Sequence, residues 1–249
     1  MSEKKSRKRL WDSYYKQGTR QTAAKFTGAE KILFRLPGTI RNMLDVGCGE
    51  GDYVRAWAGR NVMACGMDIS AVAIERAISQ TPPQLHSHCM WRCSDWEEIV
   101  LDDLGWRRRF DLVYSCMGPD MEKDSALEKF MLSSRKYCRL VLYHDGENTI
   151  LNGLKKYFPA ADICNTDKSS TERLLEKIET LGCRPQLESF VLTAEWKQDF
   201  SNWLQYLHKV HYPQKEKNAL RRALLELAGG ESEISSVTRV QYSMITWQV

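Results

Sequence analysis

Short apolar runs alternate with amphipathic stretches through the middle of the chain. Runs typical of strands lie at residues 43–46, 62–67, 88–93, 110–116 and 138–143. Stretches with helical spacing of apolar residues separate several of them, at residues 53–58, 71–78 and 127–137. The fourth run is apolar enough to be buried on both faces. This alternation predicts an α/β fold with a parallel sheet and helices on both faces.

The C-terminal part of the chain has a different pattern. Residues 187–193 and 237–249 predict two further strands, whereas residues 200–210 and 219–227 have the apolar spacing of helices. The helical insertion between the last two strands, of roughly 35 residues, exceeds the usual connections in compact domains. We interpret residues 196–230 as a helical lid, because long insertions at the functional edge of a sheet commonly shape a binding site.

Length and composition indicate one globular domain. The 249 residues, 43% of them apolar and 27% charged, suit a single α/β domain over 1–249. Its core is predicted at residues 36–195 and 231–249, preceded by a basic tail and helical cap at residues 1–35. No apolar run approaches the roughly 20 residues of a membrane helix, and no apolar segment of a secretory signal follows the basic N-terminus. We expect a cytoplasmic protein without membrane association, either a monomer or a homodimer.

The net charge of +4 is concentrated at the N-terminus, in Lys4, Lys5 and residues 7–9. We interpret this run as a solvated tail, with a nucleic-acid contact as the alternative.

The eight cysteines lie mostly in apolar, strand-like runs. We expect them to be reduced and buried as small apolar residues. His86, His88, Cys89 and Cys93 lie close together, but no paired CxxC accompanies them, so we expect no metal site.

A glycine-rich loop follows the first predicted strand and leads into a helix. It contains Asp45, Gly47, Gly49 and Gly51. Glycine allows a tight turn and a close approach of the backbone to a ligand, and the following helix N-terminus suits an anion. About twenty residues after the first glycine, Asp68 ends the second strand, where a carboxylate can accept both ribose hydroxyls. The loop and this acid together predict a nucleoside-binding site.

Two classes of nucleoside-binding protein share this layout. The dinucleotide fingerprint is GxGxxG, whereas this chain has GxGxG. Asp52 occupies the position where the last glycine of the dinucleotide fingerprint would fall. A carboxylate there would face a pyrophosphate, which disfavours NAD.

The segments LDVGCGEG and GMDIS resemble the class I S-adenosylmethionine-dependent methyltransferases. The resemblance implies a Rossmann-like, doubly wound seven-stranded sheet, mostly parallel with an antiparallel last strand and a helical insertion between the last two strands. It implies that S-adenosylmethionine is the cofactor and S-adenosylhomocysteine the product. By the same resemblance, the cofactor-binding loop includes Asp45, Gly47, Cys48, Gly49 and Gly51, with Asp68 on the ribose and Ile69 flanking adenine.

The resemblance also implies roles after the third and fourth strands. Ser94 and Asp95 match a polar pair in which Asp95 accepts the adenine amino group, and the backbone N–H of Trp96 reaches a ring nitrogen. The Trp96 side chain is equally explained as core. By the same resemblance, residues 114–120, which include Ser115, fill the position where the family lines the methyl-transfer site. An Asn-Pro-Pro-Tyr motif, typical of amino-group methylation of bases or glutamine, is not found there.

Methyl transfer from a sulfonium needs mainly alignment and exclusion of water, and a base only if the acceptor must lose a proton. The candidates for such a base are His144 and Asp120, although His144 is also explained as part of a loop without chemistry. Tyr14 and Tyr15 resemble an N-terminal aromatic segment that closes over the cofactor; the alternative is a helix packing on the core. Tyr15 is a third catalytic candidate. The predicted lid contains further aromatic and histidine residues, namely Trp196, Trp203, Tyr206, His208, His211 and Tyr212.

These observations predict an S-adenosylmethionine-dependent methyltransferase acting on a small molecule. An RNA or protein methyltransferase is the alternative, motivated by the basic tail and by residues 107–109, and a cofactor-binding module without catalysis is the third reading. An NAD-dependent dehydrogenase is the weakest.

Overall fold

The computed structural model describes residues 3–16, 34–158, 168–210, 217–229 and 231–249. Along this part of the chain the elements are α1 (Glu3–Lys16), β1 (Asn42–Val46), α2 (Asp52–Ala58), β2 (Met63–Asp68), α3 (Ala71–Ser79), β3 (Cys89–Cys93), β4 (Phe110–Cys116), α4 (Asp124–Ser133), β5 (Ser134–Asn148), α5 (Thr149–Leu154), α6 (Lys168–Thr180), β6 (Gln186–Asp199), α7 (Phe200–Val210), α8 (Lys217–Ala228) and β7 (Glu233–Gln248).

The seven strands form one sheet in the order β3-β2-β1-β4-β5-β7-β6. Strands β1 to β5 pair in parallel. Strand β7 lies between β5 and β6 and is antiparallel to both. The prediction of a mostly parallel sheet with an antiparallel last strand is therefore confirmed.

Both faces of the central strands are covered, as the apolar sequence of β4 predicts. Leu112 and Tyr114 belong to one apolar cluster, and Val113 belongs to a second cluster on the opposite face. All three are at most 1% exposed. Successive side chains of a strand point to opposite faces, so a strand buried on both has to be apolar throughout.

Strands β5, β7 and β6 extend beyond the carboxyl end of β4. Strand β4 ends at Cys116, which is paired with Val141, whereas β5 continues to Asn148 alongside β7. This three-stranded extension carries α5, α7 and α8 at its far end. Those helices share a separate apolar cluster that includes Leu154, Trp203 and Leu224.

The observed strands correct three sequence-based assignments. Residues 196–199 belong to β6 and not to the helical insertion, which begins at Phe200. Residues 134–137 belong to β5 and not to the preceding helix. His144 and Asp145 lie in β5 and not in a loop, with an irregularity in the pairing with β7 between Tyr143 and Asp145.

Part of the N-terminal basic run is helical. Arg7, Lys8 and Arg9 lie within the helix α1. Of the predicted tail and cap, residues 1–2 and 17–33 lie outside the described residues.

Candidate active site

The glycine loop packs against the segment that follows β4. Gly47 has φ +79°, and a Cβ placed on it would lie 2.7 Å from the Cα of Gly118. Gly49, with φ +54°, faces the hydroxyl of Tyr15, which would lie 2.6 Å from an added Cβ. Two of the predicted glycines are thus needed both for their backbone conformation and for the space they leave.

Asp68 connects the loop to the end of β2. One carboxylate oxygen accepts the N–H of Gly49 at 2.9 Å, and the other accepts the N–H of Ser70 at 2.8 Å. Burial raises the pKa of Asp68, and these backbone donors act in the opposite direction. Each carboxylate oxygen can accept a second hydrogen bond. Asp68 therefore shapes the loop and still has capacity for ribose hydroxyls.

Asp45 lies beneath the loop with only 1% of its surface exposed. Within the described residues, neither of its carboxylate oxygens has a hydrogen-bond partner. Burial, followed by the charges of Asp68 and Asp52, raises the pKa of Asp45 well above its ordinary value. A buried carboxylate in this state is stabilised by a nearby cation.

A cavity lies at the carboxyl ends of β1 to β4. Sequence reasoning identified several of its lining residues, namely Tyr15, Gly47, Asp68, Ile69, Ser94, Asp95 and Trp96. Other lining residues belong to segments that the sequence indicated without singling them out, namely Trp11, Met67, Met117, Gly118 and Pro119. Arg7 was missed as a site residue.

Helix α1 supplies one wall of this cavity. Arg7, Trp11 and Tyr15 line it and are spaced four residues apart, so they share one face of the helix. Tyr14 lies outside that face and is 54% exposed. The four-residue spacing is the signal that could have separated Tyr15 from Tyr14.

Trp96 contributes to the cavity while its ring belongs to the core. The side chain is 3% exposed, and its indole Nε1 donates a hydrogen bond to the carbonyl of Ala126 at 3.2 Å. The ring also meets Phe130 edge to face.

Several other predicted residues do not line the cavity. Cys48 is buried beside Gly66, and the Ser115 hydroxyl donates to the carbonyl of Val46 at 2.7 Å. Asp120 accepts the N–H of Glu122, and His144 lies in the extension of β5.

Other sequence-based expectations concern the lid and metals. Among the described residues lining the cavity, none comes from 196–230. His211 and Tyr212 lie outside the described residues, as do the side chains of Trp196, Tyr206 and His208. In the described ranges, no group of three or more His, Cys, Asp or Glu side chains is placed to hold a metal ion. In the part of the chain that the structure describes, no helix is long and apolar enough to cross a membrane.

Comparison with known proteins agrees with this geometry. Residues 43–139 match the family model of the methyltransferase domain. Comparison with curated protein sequences finds no match.

Solved structures share the fold at low sequence identity. One comes from work on the conversion of a disulfide bond into a thioacetal group during echinomycin biosynthesis; its TM-score is 0.57 at 14% identity, with 97% of this chain and 92% of that chain covered. A putative methyltransferase from Bacillus halodurans has a TM-score of 0.52 at 14% identity, with 88% and 96% covered. A putative type II methyltransferase from Anaeromyxobacter dehalogenans has a TM-score of 0.52 at 16% identity, with 82% and 88% covered.

The family model matches the part of the chain that carries the glycine loop and runs from β1 into β5, within a sheet of order β3-β2-β1-β4-β5-β7-β6. The residues present fit S-adenosylmethionine, the cofactor that the sequence resemblance implies. The glycines leave space against the loop, and within the described residues Asp45 offers a buried carboxylate without a hydrogen-bond partner to a molecule that carries positive charge.

Proposed function

We propose that this chain transfers a methyl group from S-adenosylmethionine to a small, largely apolar acceptor. The observation that carries the proposal is the cavity beneath α1, whose lining beside the glycine loop includes Trp11, Met117 and Pro119. A small molecule can enter such a mouth, whereas a folded RNA or protein would have to displace the helix.

The proposed cofactor site uses the residues that the loop and strand ends place together. Asp68 would accept the ribose hydroxyls, and Asp95 with the backbone N–H of Trp96 would receive adenine. Ile69 also lines the cavity, which supports its predicted place against the adenine ring. Gly47 and Gly49 would let the backbone approach the methionine portion.

The bound cofactor supplies an electrophilic methyl group on a sulfonium whose leaving group is neutral. The chain therefore has to align the acceptor and exclude water, which can account for much of the acceleration. His144 and Asp120 do not line the cavity, so of the three candidate bases only Tyr15 lies at the site. We infer that the acceptor atom is nucleophilic without help from His144 or Asp120, because neither lines the cavity among the described residues.

Met117 is the residue we assign to the acceptor side. It has φ +51°, which is rare for a side chain other than glycine, and it is 56% exposed at the cavity mouth. Its backbone N–H donates to the carbonyl of Val141, which fixes the position from which the side chain projects.

The test is a methyl-transfer assay with S-adenosylmethionine labelled in the methyl group. Separate reactions should contain a small-molecule extract, total RNA and a protein fraction, each with and without the enzyme. The proposal expects enzyme-dependent label in the small-molecule fraction. Label confined to RNA or protein would contradict the proposed acceptor, while leaving the cofactor assignment intact.

The described cysteines are free thiols. They support our proposal that the enzyme acts in the reducing cytoplasm.

A further inference from the structure

Helix α1 is held over the cofactor cavity mainly by polar contacts. None of its described side chains, residues 6–16, is fully buried. Leu10 and Tyr14 are exposed, whereas the other helices bury apolar faces against the sheet or against each other. The position of α1 therefore depends on specific charged and hydrogen-bonded partners more than on apolar burial.

One group of these partners is an ion cluster at the adenine side of the cavity. The Arg7 guanidinium lies 3.2 Å from Asp95 Oδ2 and 3.0 Å from Glu97 Oε2, and it makes a second contact with Glu97. Lys123 Nζ donates to Glu97 Oε1 at 2.7 Å. The cluster links α1 to the segment after β3 and to the N-terminus of α4.

The cluster is partly shielded from water. The side chains of Arg7, Asp95 and Glu97 are 32%, 6% and 27% exposed, respectively. Hydrogen bonds from Arg7 and then Lys123 lower the pKa of Glu97 to about 2, so this carboxylate stays ionised at any working pH. Shielding makes such ion pairs stronger than those on an open surface.

Two further contacts hold α1 on the loop side of the same cavity. Ser70 Oγ donates to Asp12 Oδ1 at 2.6 Å, and the Tyr15 hydroxyl lies against Gly49. The helix therefore spans the cavity from the adenine side to the glycine loop.

We propose that Arg7, paired with Asp95 and Glu97, is a positioning residue that closes α1 over the bound cofactor and whose ion pairs must break for cofactor and product to exchange. Arg7 also orients the Asp95 carboxylate, the predicted acceptor of the adenine amino group. This inference rests on the proposed function of the site. It adds a rate-setting step that belongs to the N-terminal helix.

The test is the dissociation rate of S-adenosylhomocysteine from the full chain, measured by stopped-flow tryptophan fluorescence. Trp11 lies in the cavity wall and serves as a natural reporter. Arg7→Gln should accelerate dissociation about tenfold, which corresponds to about 1.4 kcal/mol. Arg7→Lys, which keeps the charge without the planar fork, should give an intermediate rate. Lys16→Gln, which removes one positive charge from the same helix, should leave the rate unchanged.

Two further measurements distinguish closure of α1 by the Arg7 ion pairs from a general loss of structure in the variant. Raising the salt to 1 M shortens the screening length to about 3 Å, so it should accelerate release from the wild type much more than from Arg7→Gln. In a double-mutant cycle, the combined effect of Arg7→Gln and Glu97→Gln should fall short of the sum of the single effects.

Unchanged release from Arg7→Gln, or additive effects in the cycle, would overturn the proposal. If the wild type bound no S-adenosylhomocysteine, the proposed function itself would fail. If the wild type binds S-adenosylhomocysteine and Arg7→Gln releases it at an unchanged rate, only the proposed role of the Arg7 ion pairs is contradicted.

Discussion

At the scale of single residues, the site depends on backbone positions that only glycine fits. Gly47 and Gly105 both have positive φ, but only Gly47 faces close neighbours, since a Cβ on Gly105 would meet nothing within 4 Å. This difference provides a matched pair of variants.

Gly47→Ala should lower stability more than Gly105→Ala and should also abolish tight cofactor binding. The left-handed conformation alone costs about 1–2 kcal/mol for alanine, and Gly47→Ala adds a clash with Gly118. Thermal unfolding and calorimetric titration with S-adenosylhomocysteine measure the two effects. Equal losses of stability in Gly47→Ala and Gly105→Ala, with S-adenosylhomocysteine binding retained, would show that Gly118 does not confine the loop.

Asp45 should reduce the stability of the ligand-free chain in a pH-dependent manner. Because its pKa is raised in the folded state, its ionisation disfavours folding at pH values above its unfolded pKa of about 3.9, and the penalty vanishes below that value. Asp45→Asn should therefore raise the melting temperature at pH 7, with a smaller gain at pH 4. The exposed Asp103→Asn is the control, with little change expected at either pH. A gain independent of pH would rule out this electrostatic cause.

Much of the site could be predicted at the residue scale, and Arg7 is the exception. Asp68 and the loop glycines follow from a local motif whose geometry the sequence specifies. The segment after β4 that contains Met117 was predicted from the resemblance. Arg7 was not predicted at the site, because only the packing of α1 brings its side chain to the cavity.

At the scale of elements, the strands with apolar sequences were located within a few residues, whereas the extension was not predicted. Residues 144–147 of β5 are His, Asp, Gly and Glu, which favour a loop. Their strand conformation depends on β7, which pairs with Asp145 through Gln241. No local signal encodes a partner so distant in sequence.

The insertion should be separable from the cofactor site. Asp199 and Glu233 are direct partners in the β6–β7 pairing, so residues 200–232 can be replaced by an Asn-Gly hairpin turn. The variant should melt earlier because it loses the apolar cluster of α5, α7 and α8. Its affinity for S-adenosylhomocysteine should stay within about twofold, or about 0.4 kcal/mol.

Calorimetric titration of this deletion variant measures the affinity, and circular dichroism checks the fold. A folded variant that no longer binds would place the insertion in the cofactor site. The prediction that residues 196–230 form a lid over the acceptor is tested by turnover in the same variant. Unchanged methyl transfer would show that the lid interpretation is wrong.

At the scale of the whole molecule, the basic residues 107–109 and the cavity lie at opposite ends of β4. Residues 107–109 precede the strand, whose seven residues span about 20 Å, and the cavity lies at its carboxyl end. An RNA bound at this basic segment would have to reach around the sheet to the methyl group.

Replacing Arg107, Arg108 and Arg109 together by Gln should therefore leave methyl transfer to a small acceptor unchanged. Asp68→Asn serves as the control that must lose activity. The measurement is the initial rate with labelled cofactor. A rate that falls in the triple variant without a loss of stability would favour a polyanionic acceptor.

The most direct test of the central claim is calorimetric titration of the wild type and of Asp68→Asn with S-adenosylhomocysteine, using NAD as the competing ligand. We expect one site in the wild type and no heat with NAD. Binding to Asp68→Asn should be much weaker, because charged hydrogen bonds contribute about 1.5–3 kcal/mol each. At one hundred times the dissociation constant, the ligand should stabilise the wild type by about 2.7 kcal/mol. Absence of binding at millimolar ligand, or binding of NAD instead, would contradict the central claim.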